Sequence, residues 1–161
     1  MPWNKSAKIA EFKDPLTRFL VIFSEKSKDP VAFASYQLTT EPDVNDQPIP
    51  VVYWYYTWYL NSFCLILFFF SSYEIHVKKD FRGFGLGKHL IGLLESIGRQ
   101  ESKHKIMLTA FQATPLARMF TSPIKFYERL GYSPDPISPS QYLSKKEARH
   151  YDYEILSKSL L

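Results

Sequence analysis

Three glycines at alternate positions, directly ahead of an amphipathic segment, constrain this chain more than any other feature of its sequence. The run is Arg-Gly-Phe-Gly-Leu-Gly at residues 82–87. Residues 73–77 before it alternate as a β-strand does, and apolar residues after it recur at helical spacing as far as Ile97. The sequence therefore predicts a strand, a glycine turn and a helix in direct succession.

This succession is typical of anion-binding sites. The first turn of a helix leaves backbone N–H groups without intrahelical partners and carries partial positive charge. Glycines let that backbone approach a phosphate closely, and Arg82 and Lys88 add positive charge on either side of the turn. The pattern predicts a pyrophosphate site, although a turn that needs glycine only for its backbone geometry would have the same sequence.

Two common phosphate-binding motifs do not match the run. A mononucleotide P-loop requires serine or threonine directly after its lysine, whereas His89 follows Lys88 here. A dinucleotide fingerprint requires Gly-x-Gly-x-x-Gly, whereas the spacing here is Gly-x-Gly-x-Gly.

Composition indicates one intracellular globular domain. The 161 residues suffice for a single core, and 45% apolar residues argue against disorder. The net charge of +4 favours anionic partners, but no basic cluster interleaved with aromatic residues suggests direct nucleic-acid binding. The single cysteine excludes an internal disulfide, and the histidines at positions 76, 89, 104 and 150 lack metal-ligand spacing, so no metal is expected. The first residues lack the apolar core of a signal peptide.

The remaining patterns predict an α/β or α+β domain. Strands are expected at residues 19–23, 31–38, 106–111 and 151–157, a helix at residues 123–130, and an exposed loop at residues 41–50. Residues 51–70 are uncharged and long enough to cross a bilayer as a helix. Their aromatic and β-branched content suits strands better, so we expect a buried strand pair turning at Asn61 and Ser62, and a membrane span is disfavoured.

Two motifs resemble those of the GNAT superfamily of N-acetyltransferases. Arg82, Gly85 and Gly87 fill its Arg-x-x-Gly-x-Gly acetyl-coenzyme A signature, and residues 126–132, Phe-Tyr-Glu-Arg-Leu-Gly-Tyr, are similar to its later helix-to-strand motif. The resemblance implies a GNAT fold, with a single mixed, mostly antiparallel twisted sheet flanked by helices. One branch, the N-alpha-acetyltransferase D family that acetylates the N-terminal amines of histone four and histone two-A, is resembled further at residues 73–75, 107–111, 138–140 and 153–157.

The resemblance also implies roles for individual residues. Glu74 would accept the proton of the attacking amine, and Tyr127 would protonate the departing thiolate. The cosubstrate, acetyl-CoA, would be held by Ile75, His76, Val77, Arg82, Gly83, Phe84, Gly85, Leu86, Gly87 and Lys88. The acceptor peptide would contact Glu41, Tyr55, Tyr73, Thr109 and Tyr153, with Glu41 pairing with the arginine of a Ser-Gly-Arg-Gly tail. Without the resemblance, each of these residues has an ordinary structural explanation.

The same likeness implies histone N-terminal tails as partners and the nucleus and cytoplasm as the location. Two alternatives stay open. One is a GNAT enzyme that acts on another protein or a small amine. The other is a catalytically degenerate domain that binds coenzyme A without turnover.

The chain departs from the family pattern in three places. Most of the family's N-terminal helices are missing, residues 113–122 stand where an asparagine usually contacts coenzyme A, and the uncharged run has no equivalent. Joining residues 51–55 directly to residues 74–77 would restore the family's strand, so residues 56–73 look like an insert in a single domain of residues 1–161. A translated pyrimidine-rich intron end would encode such a phenylalanine-rich tract, a hypothesis that spliced transcripts would test.

Overall fold

The computed structural model describes residues 5–56, 75–111 and 123–161. Within these ranges the helices are α1 (Lys5–Phe12), α2 (Leu86–Gln100), α3 (Pro123–Glu128), α4 (Pro139–Tyr142) and α5 (Lys145–Ala148). The strands are β1 (Arg18–Phe23), β2 (Pro30–Pro42), β3 (Pro48–Tyr56), β4 (Ile75–Val77), β5 (Lys105–Phe111), β6 (Ser133–Pro134) and β7 (Tyr153–Ser159). A turn of 3₁₀ helix, Lys79–Phe81, joins β4 to the glycine turn.

The seven described strands form one sheet in the order β1-β2-β3-β5-β7-β6, with β4 also paired to β2. β3 and β5 run parallel, and the other registered pairs are antiparallel. The predicted fold class, a mixed and mostly antiparallel sheet flanked by helices, is confirmed.

β2 changes its partner halfway along its length. Its Gln37 pairs with Tyr53 of β3, whereas its Ala34 pairs with Ile75 of β4. β3 meanwhile continues beside β5 as far as Tyr56. The end of β3 therefore lies beside β5, whereas β4 lies beside β2. We call this divergence of residues 54–56 from residues 75–77 the strand fork.

Helix α2 packs on one face of the sheet, as its apolar stripe predicts. Leu90, Ile91 and Leu94 are buried there in a continuous core with strand residues such as Leu108 and Leu156. Each fully buried aliphatic side chain of this kind contributes about 1.5–3 kcal/mol relative to an exposed one. This packing fixes the N-terminal end of α2 beside β4.

The opposite face of the sheet carries a smaller apolar cluster. Val51, Tyr53 and Met107 are buried in it, because side chains alternate between the two faces of a strand. The hydroxyl groups of Tyr53 and Thr109 form a buried hydrogen bond of 3.0 Å that links β3 to β5.

A polar network fastens α2 to the last strand. The Glu95 carboxylate accepts hydrogen bonds from the Lys158 ammonium at 3.0 Å and from the Tyr132 hydroxyl at 3.2 Å. Lys158 also donates to the carbonyl oxygen of Leu130, just after α3, at 2.9 Å. Burial, and then the neighbouring Glu95 carboxylate, raise the pKa of Tyr132, so its hydroxyl remains a donor.

The exposed loop predicted at residues 41–50 is wrong. A compact turn takes up only residues 43–47, and the flanking residues extend the β2–β3 hairpin. The Asp43 carboxylate closes this turn by accepting the backbone N–H groups of Asn45 and Gln47 at 2.8 and 2.9 Å. The same hydrogen bonds hold the pKa of Asp43 below its usual range. Pro48 is the first residue of β3, a position that tolerates proline, and Pro42 is the last residue of β2.

The uncharged run begins as a strand, as predicted, because residues 51–56 belong to β3. Its later part, including the expected turn at Asn61 and Ser62, lies outside the described residues. No helix in the described part of the chain is long and apolar enough to cross a membrane.

Candidate active site

The glycine turn has the conformation that its composition predicts. Gly83 and Gly85 adopt φ angles of 82° and 79°, in the left-handed region that L side chains rarely enter. A Cβ atom built on either glycine would meet nothing within 4 Å. Glycine is therefore required by the backbone conformation and not by a lack of space. Gly85 is the N-cap of α2, so the backbone N–H groups at the start of the helix directly follow the glycine turn.

Arg82 ties the glycine turn to β4. Its Nε donates a hydrogen bond to the carbonyl oxygen of Val77 at 3.0 Å. Arg82 and Lys88 are both exposed to solvent, one on each side of the helix start. Their charges add to the partial positive charge of the helix N-terminus, so an anion is stabilised at this position.

A cavity of about 470 Å³ opens at this end of α2. Its walls come from β4, the glycine turn, the first turns of α2, and α3. All the residues predicted to hold the cosubstrate line the cavity except Phe84, whose side chain is 78% exposed. The lining combines backbone amides and two cations with apolar side chains, so it suits a ligand with anionic and apolar parts.

Tyr127 brings α3 to the same cavity. It is fully buried and lines the cavity beside Phe126. Its ring packs edge-on against those of Phe126 and Tyr132, with centroid distances of 5.1 and 5.9 Å. A Cβ atom on Gly87 would lie 3.8 Å from Cζ of Phe126, so α3 also contacts the start of α2. Tyr127, β4 and the glycine turn therefore share one site.

Two predicted site residues, Tyr73 and Glu74, lie outside the described residues. Their roles stay predictions. The residue that follows Glu74, Ile75, is buried and lines the cavity.

Three of the predicted acceptor residues, Glu41, Thr109 and Tyr153, lie on the sheet face opposite α2. Thr109 pairs in register with Tyr55, and Tyr153 lies at the start of the neighbouring strand β7. Glu41 lies opposite Ile49, which is six positions before Tyr55 in β3. At about 3.3 Å per residue, this separation is roughly 20 Å. The structure thus brings Thr109 beside position 55 and leaves Glu41 at the far end of the same face.

Electrostatics distinguish Glu41 from an ordinary surface acid. Partial burial raises the pKa of its carboxyl, and the nearby Lys105 ammonium opposes that shift. Lys105 is itself engaged in a 2.7 Å ion pair with the buried carboxylate of Asp135. A further cation brought to Glu41 would favour its ionised form.

A polar clamp between β7 and the segment after β6 was not predicted. Glu154 accepts hydrogen bonds from the hydroxyls of Ser138 and Ser140 at 2.5 and 2.7 Å. The Ser138 oxygen in turn accepts the N–H of Ile155 at 2.9 Å. The clamp fixes this segment against the edge of β7, next to Tyr153. The Ser-Pro-Ser motif at residues 138–140 was its sequence signal.

Metal ligation finds no support among the described residues, where no group of three or more His, Cys, Asp and Glu side chains is placed to hold an ion. His76 instead stacks on Phe33, with ring centroids 5.0 Å apart.

Solved structures of the same fold include acetyltransferases with different acceptors. An aminoglycoside 6'-N-acetyltransferase complexed with coenzyme A matches with a TM-score of 0.60 and 14% identity, covering 99% of this chain and 82% of that one. The ribosomal-protein-S18-alanine N-acetyltransferase of Escherichia coli matches with a TM-score of 0.57 and 16% identity, covering 99% and 79%. A spermidine N-acetyltransferase chimera from Vibrio cholerae and hSSAT matches with a TM-score of 0.53 and 12% identity, covering 97% and 74%. At these identities the likeness concerns the fold.

The family follows from the sequence itself. A model of the acetyltransferase (GNAT) family matches residues 1–132. That range includes β4, the glycine turn, α2 and α3, which are the elements that enclose the cavity. The chain belongs to the GNAT family of acetyltransferases.

Proposed function

We propose that this chain transfers the acetyl group of acetyl-CoA to the free α-amino group of a protein N-terminus, with histone-type Ser-Gly-Arg-Gly tails as acceptors. The observation that carries the donor half is the convergence of β4, the glycine turn and Tyr127 on one cavity. The choice of acceptor is supported by the resemblance of the predicted acceptor residues to those of the N-alpha-acetyltransferase D family. It is also supported by the single sheet face on which the described ones lie.

The cavity fits the chemistry of acetyl-CoA. The amides after Gly85, with Arg82 and Lys88, would hold the pyrophosphate. The backbone of Ile75–Val77 would pair with the pantetheine arm, since β4 lines the cavity. Bound acetyl-CoA supplies a thioester, whose carbonyl carbon is the electrophile.

The residues of this chain would then move two protons. The acceptor amine nitrogen forms a bond to the thioester carbon, and Glu74 takes the proton that this nitrogen loses. Backbone N–H groups of β4 would stabilise the oxyanion of the tetrahedral intermediate. When the carbon–sulfur bond breaks, the Tyr127 hydroxyl would protonate the thiolate, so an amide and coenzyme A are released.

Steady-state acetyl transfer tests the proposal. With acetyl-CoA and a Ser-Gly-Arg-Gly peptide, we expect turnover that falls about 100-fold or more in Glu74→Gln, because general-base catalysis contributes about that much. Coenzyme A affinity should stay unchanged in this variant. Glu25→Gln, which alters an exposed carboxylate in the β1–β2 turn, serves as the matched control.

Three further acceptors separate the alternatives. An N-terminally blocked peptide with an internal lysine, spermidine, and an aminoglycoside should each react far more slowly than the free peptide. Preference for spermidine or the aminoglycoside would contradict the terminal-amine acceptor and favour the small-amine alternative. Coenzyme A binding without turnover on any acceptor would favour a degenerate domain.

A further inference from the structure

A buried hydrogen bond joins Thr109, a predicted acceptor residue, to Tyr53, a residue outside the predicted site. The two hydroxyl oxygens lie 3.0 Å apart, and the residues are 6% and 8% exposed, respectively. In the β3–β5 register Tyr53 lies opposite Met107, so the bond runs diagonally to the next residue on the same face of β5. It therefore ends at the strand fork, where Tyr55 is the register partner of Thr109.

The ring of Tyr53 is held more firmly than the threonine side chain to which it bonds. Tyr53 belongs to the smaller apolar cluster, in which Val51 and Met107 are fully buried. Because protein interiors are close-packed, the ring and its hydroxyl have a fixed position. A threonine side chain has three staggered rotamers, which differ in where they direct the hydroxyl. The hydrogen bond to Tyr53 selects one of them.

The selected hydroxyl retains hydrogen-bonding capacity for a further partner. A threonine hydroxyl has one hydrogen and two lone pairs, and the bond to Tyr53 takes up one of these three. On one side of Thr109 lies position 55 of β3, and on the other side Tyr153 of β7 is placed diagonally. The hydroxyl that Tyr53 fixes is thus central among the predicted acceptor residues.

We propose that Tyr53 is a positioning residue for acetyl transfer, which holds the Thr109 hydroxyl in the rotamer that hydrogen-bonds the bound acceptor. A group fixed before binding loses less rotational freedom when the acceptor arrives, so the acceptor binds more tightly. This role rests on the proposed function, because it takes Thr109 as an acceptor contact. It extends that function to a residue that acts through Thr109 alone.

Removal of single hydroxyl groups tests the role. Tyr53→Phe keeps the ring and the packing of the apolar cluster, and Thr109→Val keeps the branched shape of threonine. With the Ser-Gly-Arg-Gly peptide, Tyr53→Phe should raise the KM about threefold, because three rotamers become open to the hydroxyl. Thr109→Val should raise it about tenfold, near the upper limit for one hydrogen bond. The double variant should match Thr109→Val within about twofold, since Tyr53 acts only through Thr109. The kcat and the affinity for coenzyme A should stay unchanged in all three variants.

Thr109→Ser and Tyr132→Phe serve as controls. Thr109→Ser retains the hydroxyl and should keep most of the affinity for the peptide. Tyr132→Phe removes a similarly buried hydroxyl, which donates to Glu95 on the α2 side of the sheet. It should lower the melting temperature without raising the peptide KM, so a loss of stability alone does not reproduce the expected result.

Two results would overturn the role of Tyr53. One is a peptide KM that Tyr53→Phe leaves unchanged while the melting temperature falls, which would show that the bond only ties β3 to β5. The other is a double variant whose KM is about threefold above that of Thr109→Val, since independent contributions multiply.

Failure of the proposed function is seen in the unsubstituted chain instead. A preference for a different acceptor would move the same comparison of variants to that acceptor. Coenzyme A binding without turnover on any acceptor would overturn both proposals.

Discussion

At the scale of single residues, the glycines of the turn differ in what they contribute. Gly83 and Gly85 are required by their positive φ angles, whereas Gly87 is a residue of α2 with an ordinary van der Waals neighbour, Phe126. The sequence pattern predicts the run but cannot separate these roles, because backbone dihedrals are set by where the helix starts. Arg82 is a similar case, since its link to the Val77 carbonyl depends on the distance between β4 and the turn.

Alanine substitutions at Gly85 and Gly87 should therefore have different effects on stability. Gly85→Ala places a side chain in the left-handed region, which costs about 1–2 kcal/mol. Gly87→Ala should be neutral or slightly stabilising, because alanine is the better helix former. If the amides of this turn bind pyrophosphate, both variants should weaken coenzyme A binding, since a methyl group would hinder the approach of the phosphate. Urea unfolding and calorimetry measure the two effects, and equal stability losses would contradict the assignment of the helix start.

At the scale of elements, predictability follows the strength of the local pattern. Helix α2 was predicted closely because its apolar stripe matches the helical period and Gly85 precedes it. The sequence underestimates the length of the β2–β3 hairpin, because its prolines and acids indicate a loop. The side chain of Asp43 confines the turn to five residues. Strand β4 lies within the segment where alternation predicts a strand, but its pairing with β2 is a long-range contact that no local pattern encodes.

Two glycines within α2 make a matched pair for testing how this helix packs. Gly92 is exposed, and a Cβ atom there would meet nothing within 4 Å. At Gly98 a Cβ atom would overlap Cδ1 of Leu160 and lie 2.9 Å from Cγ2 of the buried Val52. Gly92→Ala should stabilise the protein by up to about 1 kcal/mol through helix propensity. Gly98→Ala should destabilise it by about 1–3 kcal/mol, because overpacking outweighs that gain.

Chemical denaturation of both glycine variants checks this expectation. The comparison cancels the propensity gain, which is the same at both positions. Stabilisation by both substitutions would show that α2 does not approach β3 and the C-terminal segment as closely as the structure indicates.

At the scale of the whole molecule, the site is assembled from segments that are distant in the sequence. The glycine turn and Tyr127 were both predicted as site residues, but their meeting in one cavity depends on how α2 and α3 pack against each other. Resemblance to a known family can predict this arrangement, whereas patterns within the sequence alone cannot. Thr109 and Tyr153 illustrate the same limit, because their shared face follows from the β5–β7 register.

The hydrogen bonds of Glu95 link α2 to Tyr132 and to Lys158 of β7, so their removal should lower the stability of the whole domain. Lys158→Met would leave the nearly buried Glu95 carboxylate without its closest cation. Breaking a fully buried pair costs about 3–5 kcal/mol, and the partial exposure of Lys158 should reduce this loss to about 2 kcal/mol. The double variant Lys158→Met with Glu95→Met should regain part of the loss, because no buried carboxylate is then left without its cation, while Tyr132 loses its acceptor and the half-exposed Arg99 loses its partner. Urea unfolding of both proteins, with exposed Lys146→Met as the control, measures the difference. A double variant no more stable than the single one would show that packing, and not charge pairing, accounts for the contribution of Lys158.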